Sequence, residues 1–126
     1  MANGHHSVLV VEDDREINSL VGAYAKICGF DYRPALDGAT ALSEAQKETP
    51  DAIILDLMLP DIDGFEVCRR MRQDLHLTDT PIIILSALSS DKDKQRGKEC
   101  GADEYLTKPF DPDQLIKTLT LLAAPL

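Results

Sequence analysis

The sequence predicts an α/β domain in which helices cover both faces of a parallel sheet. Three observations carry that prediction. The apolar period switches repeatedly between short continuous runs and the three-to-four spacing of amphipathic helices. The runs at 8–11, Ala52–Leu55 and 82–85 are apolar on both faces, as strands buried from both sides must be. Five strand patterns alternate with five helix patterns in 126 residues, a length that fits one domain.

The elements follow in order. Residues 8–11 are a β-branched run that ends in Glu12, Asp13 and Asp14. Ile17, Leu20, Val21, Tyr24 and Cys28 recur at helical spacing, and Gly29 stops that helix as its C-terminal cap. Asp31–Ala35 is a weaker second strand. Ala41, Leu42 and Ala45 mark a second helix, ended by Pro50. Ala52–Leu55 is a third strand, closing on Asp56. A loop over 57–63 holds Pro60, and Gly64 follows it. Phe65, Val67, Cys68 and Met71 then give a third helix, succeeded by a polar loop to Thr80.

Pro81 opens a fourth strand over 82–85, which closes on Ser86. Residues 90–100 are polar enough to predict a solvated fourth helix with little core contact. Glu104–Thr107 is a short fifth strand. Asp111 is suited to cap the last helix, with Pro112 in its first turn. Leu115, Ile116, Leu119 and Leu122 provide that helix with an apolar face. Right-handed crossovers leave few topologies, and the flavodoxin-like strand order 2-1-3-4-5 is the expected one. The domain is expected over 7–124, with 1–6 as a lead-in outside it.

Composition narrows the function classes. An apolar share of 44% and a charged share of 28% are those of an ordinary globular domain. No apolar run approaches the ~20 residues that span a bilayer. Residues 1–7 lack the basic-then-apolar pattern of a secretory signal. A net charge of −9 argues against contact with nucleic acid or an anionic membrane surface. Cys28, Cys68 and Cys100 are widely spaced and form no C-x-x-C or Cys/His set, which predicts no zinc site and a reducing, cytoplasmic setting.

The chemistry gathers at one end of the predicted sheet. In an open α/β sheet, ligands bind beyond the carboxyl ends of the strands. Strand one ends in Glu12-Asp13-Asp14, strand three in Asp56 and strand four in Ser86, and strand five leads into Lys108-Pro109. Packed carboxylates repel one another unless a cation stands between them. With no His or Cys at any strand end, the donors suit a hard divalent ion such as Mg²⁺. Lys108 can pair with a carboxylate and then with a phosphoryl oxygen, and Ser86 can donate to that oxygen. A single acid after a strand is often only a helix cap, and Asp13 or Asp14 could be one. Coincidence explains the whole set poorly.

Other chemistries on such a sheet fare worse. No G-x-G-x-x-G or G-x-x-x-x-G-K-[ST] is present, and an acidic turn after strand one would repel free phosphate. No G-x-S-x-G is present either.

The segments V-L-V-V-E-D-D, I-I-L-D-L-M-L-P-D-I-D-G, P-I-I-I-L-S-A and G-A-D-E-Y-L-T-K-P-F together resemble bacterial response-regulator receiver domains of the chemotaxis-regulator type. The resemblance covers nearly all of the chain, from about residue 7 to 122. It implies that Asp56 is the phosphoacceptor. It implies a metal site of Glu12, Asp13, Asp56 and the backbone carbonyl of Met58, holding Mg²⁺ or Mn²⁺. Asp13 would be the more direct ligand and Glu12 would act through water, while Asp14 stands outside that set. Ser86 and Lys108 match the residues that contact the phosphoryl group, and Lys108-Pro109 would be a cis peptide. Ser86 and Tyr105 match the switch pair, with Tyr105 exposed in the resting form and buried in the active form.

The resemblance further implies a sensor histidine kinase or phosphotransfer protein as phosphodonor. It implies an output protein or effector domain that reads the fourth helix, fifth strand and fifth helix, with no direct nucleic acid and no membrane. It implies a regulatory role, with self-catalysed gain and loss of the phosphoryl group. Two alternatives belong to other classes. A metal-dependent aspartyl-nucleophile phosphatase would need a second carboxylate where Met58 stands. A phosphorylation-independent interaction module would be expected to have lost Asp13, Asp56 or Lys108, and all three are present.

Overall fold

The structure, a computed structural model, describes residues 6–123. Ten elements alternate: β1 (Ser7–Val11), α1 (Arg15–Ile27), β2 (Asp31–Ala35), α2 (Gly38–Lys47), β3 (Ala52–Leu55), α3 (Gly64–Gln73), β4 (Ile82–Ser86), α4 (Asp91–Glu99), β5 (Glu104–Thr107) and α5 (Pro112–Ala123). The five strands are parallel in the order β2-β1-β3-β4-β5, as the sequence predicts. The order doubles back at β1, so the chain crosses first over one face of the sheet and then over the other.

The two-residue period of a strand sorts the core into two layers. Val8 and Val10 of β1 point toward α1 and α5, where they meet Val21, Ala25, Leu115 and Leu119. Leu9 and Val11 point the other way, onto Ala41 and Ala45 of α2 and Val67, Cys68 and Met71 of α3. All of these are buried. Each large apolar side chain so placed contributes ~1.5–3 kcal/mol relative to exposure. A smaller third cluster joins Leu57, Phe65 and Ile84, with Leu88 and Tyr105 packed against it.

Local chemistry sets the helix ends. Asp14 caps α1, its carboxylate accepting the N–H groups of Glu16 (3.0 Å) and Ile17 (3.1 Å). Cys28 caps the other end, and Gly29 lies one residue beyond it at φ 94°, a conformation that glycine adopts without strain. The α2 helix stops at Lys47 because Glu48 is already extended, so Pro50 stands beyond the break that it was expected to make. Asp111 opens α5 as expected: its carboxylate accepts the Asp113 N–H at 3.0 Å. The polar α4 buries Gly97 alone among its residues and holds its start with a Ser90–Asp93 capping box.

Of the expected lead-in, only His6 falls among the described residues; its carbonyl accepts the Asp31 N–H at 2.7 Å. Residues 1–5 and 124–126 lie outside them.

Candidate functional site

Register builds the site. Val11 of β1 pairs with Leu55 of β3, so the next residues, Glu12 and Asp56, leave the sheet side by side. Ser86 of β4 pairs with Thr107 of β5, which sets Lys108 next to the end of β4. Glu12, Asp13 and Asp56 each offer a carboxylate oxygen, and these oxygens lie within 4.8 Å of one another. Glu12 and Asp56 are buried, whereas Asp13 faces solvent. Asp14, the third acid of the run, is spent on capping α1.

The Lys108 ammonium is the cation set against this cluster. It donates to Glu12 Oε1 in a short hydrogen bond and to Asp56 Oδ2 at 3.3 Å. Glu12 is thus the closer of its two partners. The peptide Lys108-Pro109 is cis, as the resemblance implied.

The electrostatics follow from burial and pairing. Burial pushes the Glu12 carboxyl up, aided by the Asp56 charge and opposed by the Lys108 hydrogen bond. Burial acts on Lys108 in the lowering direction. The Glu12 hydrogen bond and the Asp56 charge outweigh it, and its pKa ends above the ordinary value. Lys108 therefore stays an ammonium across the physiological range.

The remaining expected residues surround this centre. Ser86 is wholly buried at the end of β4, and its Oγ accepts the Leu88 N–H at 3.3 Å. Met58 directs its N–H to Asp56 Oδ1 at 3.3 Å, while the residue is 58% exposed. Tyr105 is half-buried and donates its hydroxyl hydrogen to the Leu88 carbonyl at 2.5 Å. Its ring lies against Gly97 of α4, where an added Cβ would come within 3.1 Å of it. Leu88 thereby links Ser86 to Tyr105 through its own two backbone groups.

Two residues that sequence reasoning passed over make side-chain contacts that join segments near the site. Asn18 is buried, and its amide donates to the carbonyls of Val10 (3.1 Å), Glu12 (3.0 Å) and Ala35 (3.2 Å). It gathers the ends of β1 and β2, and the Tyr32 hydroxyl donates to its Oδ1. A visible signal existed: Asn18 falls on the same helical face as Val21, Gly22 and Ala25. The other is Asp61, whose carboxylate reaches the first turn of α2.

The donor set fits a hard divalent ion. All of its side-chain donors are oxygens, their mutual repulsion is only partly met by Lys108, and Asp13 keeps one side open to solvent.

Fold and site together define a parallel α/β domain with an acidic, lysine-bearing pocket at the carboxyl end of its sheet. The chain belongs to the response regulator receiver domain family, whose sequence model matches residues 8–120. It is 42% identical over 115 residues to the DNA-binding dual master transcriptional regulator RpaA of Synechocystis, a match covering 91% of this chain and 48% of that protein. It is 44% identical over 108 residues to the alkaline phosphatase synthesis transcriptional regulatory protein PhoP of Bacillus subtilis, covering 86% and 44% respectively. A response regulator structure from Chloroflexus aurantiacus superposes with a TM-score of 0.88 at 36% identity, over 95% of this chain and 98% of that one. The chain spans about half the length of the curated relatives it matches.

Proposed function

We propose that this receiver domain takes a phosphoryl group onto a carboxylate oxygen of Asp56, and that Glu12, Asp13, Asp56 and the Met58 backbone carbonyl hold the Mg²⁺ or Mn²⁺ that the reaction requires. The observation that carries this reading is the convergence of three carboxylates within 4.8 Å with one charged lysine upon them. When bound, the cation offsets the repulsion among the carboxylates and the charge of the incoming phosphoryl group.

The donor is a phosphohistidine on a sensor histidine kinase or phosphotransfer protein. An Asp56 oxygen attacks phosphorus, the P–N bond breaks, and its electron pair stays on the imidazole nitrogen. Lys108, already beside Asp56, pairs with a phosphoryl oxygen once the carboxylate has been consumed. Ser86 turns its hydroxyl to another oxygen and changes its contact with the Leu88 N–H. Leu88 also holds Tyr105, so the rearrangement passes to β5 and α4.

The α4-β5-α5 surface then engages an output protein or effector domain. In this reading the acidic receiver itself touches neither nucleic acid nor membrane, and it works in the cytoplasm. Its role is regulatory, without turnover of a separate substrate. Its relatives RpaA and PhoP are named as transcriptional regulators, which supports an effector that acts on transcription. Among the described residues, no helix is long and apolar enough to cross a membrane.

The test is the intact mass after incubation with acetyl phosphate. One added phosphoryl group is expected with Mg²⁺, none with excess EDTA, and none for Asp56→Asn. Equal labelling in EDTA would remove the metal from the reaction. Stoichiometric labelling of the variant would place the acceptor elsewhere.

A further inference from the structure

The loop between β3 and α3 carries Met58; Leu57, Leu59 and Ile62 pack parts of it onto the core, while its tip stands in solvent. Its neck is closed by the Gly64 N–H donating to the Leu57 carbonyl at 3.0 Å. A Cβ at Gly64 would come within 2.7 Å of the Asp56 carbonyl oxygen, so only glycine lets the chain pass so close. Beyond the neck, Met58, Pro60 and Asp61 are all exposed. These exposed residues have little burial of their own to fix them, and such a tip moves readily unless a polar contact ties it down.

The tie is Asp61. One carboxylate oxygen accepts the N–H groups of Gly38 (2.8 Å) and Ile62 (2.9 Å), and the other accepts that of Ala39 (2.9 Å). Gly38 and Ala39 are the first two residues of α2. Their N–H groups have no partner within the helix, and the positive end of the helix dipole favours a carboxylate there. The helix's own cap, Asp37, serves a different donor, the Thr40 N–H at 2.7 Å. The α2 helix is itself seated on the core through the buried Ala41 and Ala45. Asp61 thus fastens the exposed tip of the loop to the first turn of α2.

We infer that Asp61 is a positioning residue of the cation site: by clamping the loop tip to α2, it holds the backbone after Asp56 in the course that aims the Met58 carbonyl. The inference rests on the reading of the site given under Proposed function. Asp61 acts through this clamp and not as a ligand, because both of its oxygens are already engaged by backbone N–H groups. The same donors hold its carboxyl below the usual carboxylate range.

Three proteins test this: wild type, Asp61→Ala and Asp61→Asn. The alanine removes the clamp and the charge, whereas asparagine removes the charge and keeps an oxygen acceptor. The probe is Mn²⁺, titrated into unphosphorylated protein and followed by electron paramagnetic resonance. In parallel, the acetyl phosphate labelling rate is measured as a function of Mg²⁺. Asp61→Ala should bind Mn²⁺ up to about tenfold more weakly, the lower end of the loss seen when groups supporting a metal site are removed. Its labelling rate at saturating Mg²⁺ should stay within about twofold of wild type, so that the effect falls on affinity and not on the chemical step. Asp61→Asn should recover most of the affinity. Amide exchange at Met58 should rise in the alanine variant alone.

Unchanged Mn²⁺ affinity in Asp61→Ala would overturn the inference. Equal losses in both variants would overturn it too, because the effect would then be one of charge. Failure of the wild type itself to bind Mn²⁺, or to label in Mg²⁺, would instead overturn the underlying reading of the site.

Discussion

Lys108 sits between two carboxylates and favours the one that is not the proposed acceptor. In the proposed reaction, its hydrogen bond to Glu12 would keep the ammonium in place as Asp56 changes partner. Lys108→Ala should therefore still accept the phosphoryl group but fail to carry the signal to β5. Backbone NMR of the phosphorylated variant checks this, and wild-type-like shifts around Tyr105 would count against it. The lifetime of the phosphorylated state is also a residue-scale matter. Hydrolysis needs an ordered water, and neither Met58 nor Leu88 can orient one through its side chain. A Met58→Asn, Leu88→Glu double variant should decay faster, by up to roughly tenfold if ~1.4 kcal/mol of barrier is involved. The assay keeps Mg²⁺ and removes the donor; unchanged or slower decay would refute the idea.

Two helices on the same face of the sheet, α3 and α4, are held by different means. The α3 helix is anchored by Phe65, Val67, Cys68 and Met71 and carries a charged outer face. There Glu66 accepts from Arg69 at 2.6 Å and from Arg70 at 2.8 Å. These hydrogen bonds, Arg69 first, lower the Glu66 carboxyl from the ordinary 4.5 to about 2. A depressed folded-state pKa means that the stabilisation is complete above pH 4.5 and is lost as pH falls from there through about 2. Glu66→Gln should flatten the fall in Tm across that window, by a small amount because the pair is solvent-screened. An identical acid limb in the variant would show that the pair is inert.

The α4 helix is the contrary case. Its contacts inward are Gly97 against Ile84 and Tyr105, and Arg96 stacked 4.1 Å from the centre of the Phe65 ring. A helix so lightly seated is the one whose position a change at Tyr105 can alter.

For the whole molecule, the dominant feature is acidity: a net charge of −9, with three carboxylates converging at the strand ends. A cation that binds only the folded protein stabilises it by mass action. Mg²⁺ at about five times its Kd should contribute about 1 kcal/mol and raise Tm by a few degrees. Asp13→Asn, altered at an exposed position, should keep the fold and lose that shift. An equal rise in both proteins would assign the effect to general screening of charge.

The amino-acid sequence determined the alternation of elements, because the period of apolar residues is a local property. It also determined which residues end the strands, and so the membership of the acidic set, because Glu12 and Asp56 each follow an apolar run directly and Asp13 comes next after Glu12. Long-range partners were not legible, since hydrogen bonds between distant segments leave no periodic trace. Arg72 lies at an unremarkable polar position of α3, yet it donates to the carbonyls of Leu77, Thr80 and Gly101 and pairs with Asp103 at 2.9 Å. Asp61 is one more loop acid until α2 is brought alongside it. The preference of Lys108 for Glu12 was likewise decided only in three dimensions, where strand register and the burial of both carboxylates set which oxygen the ammonium meets first.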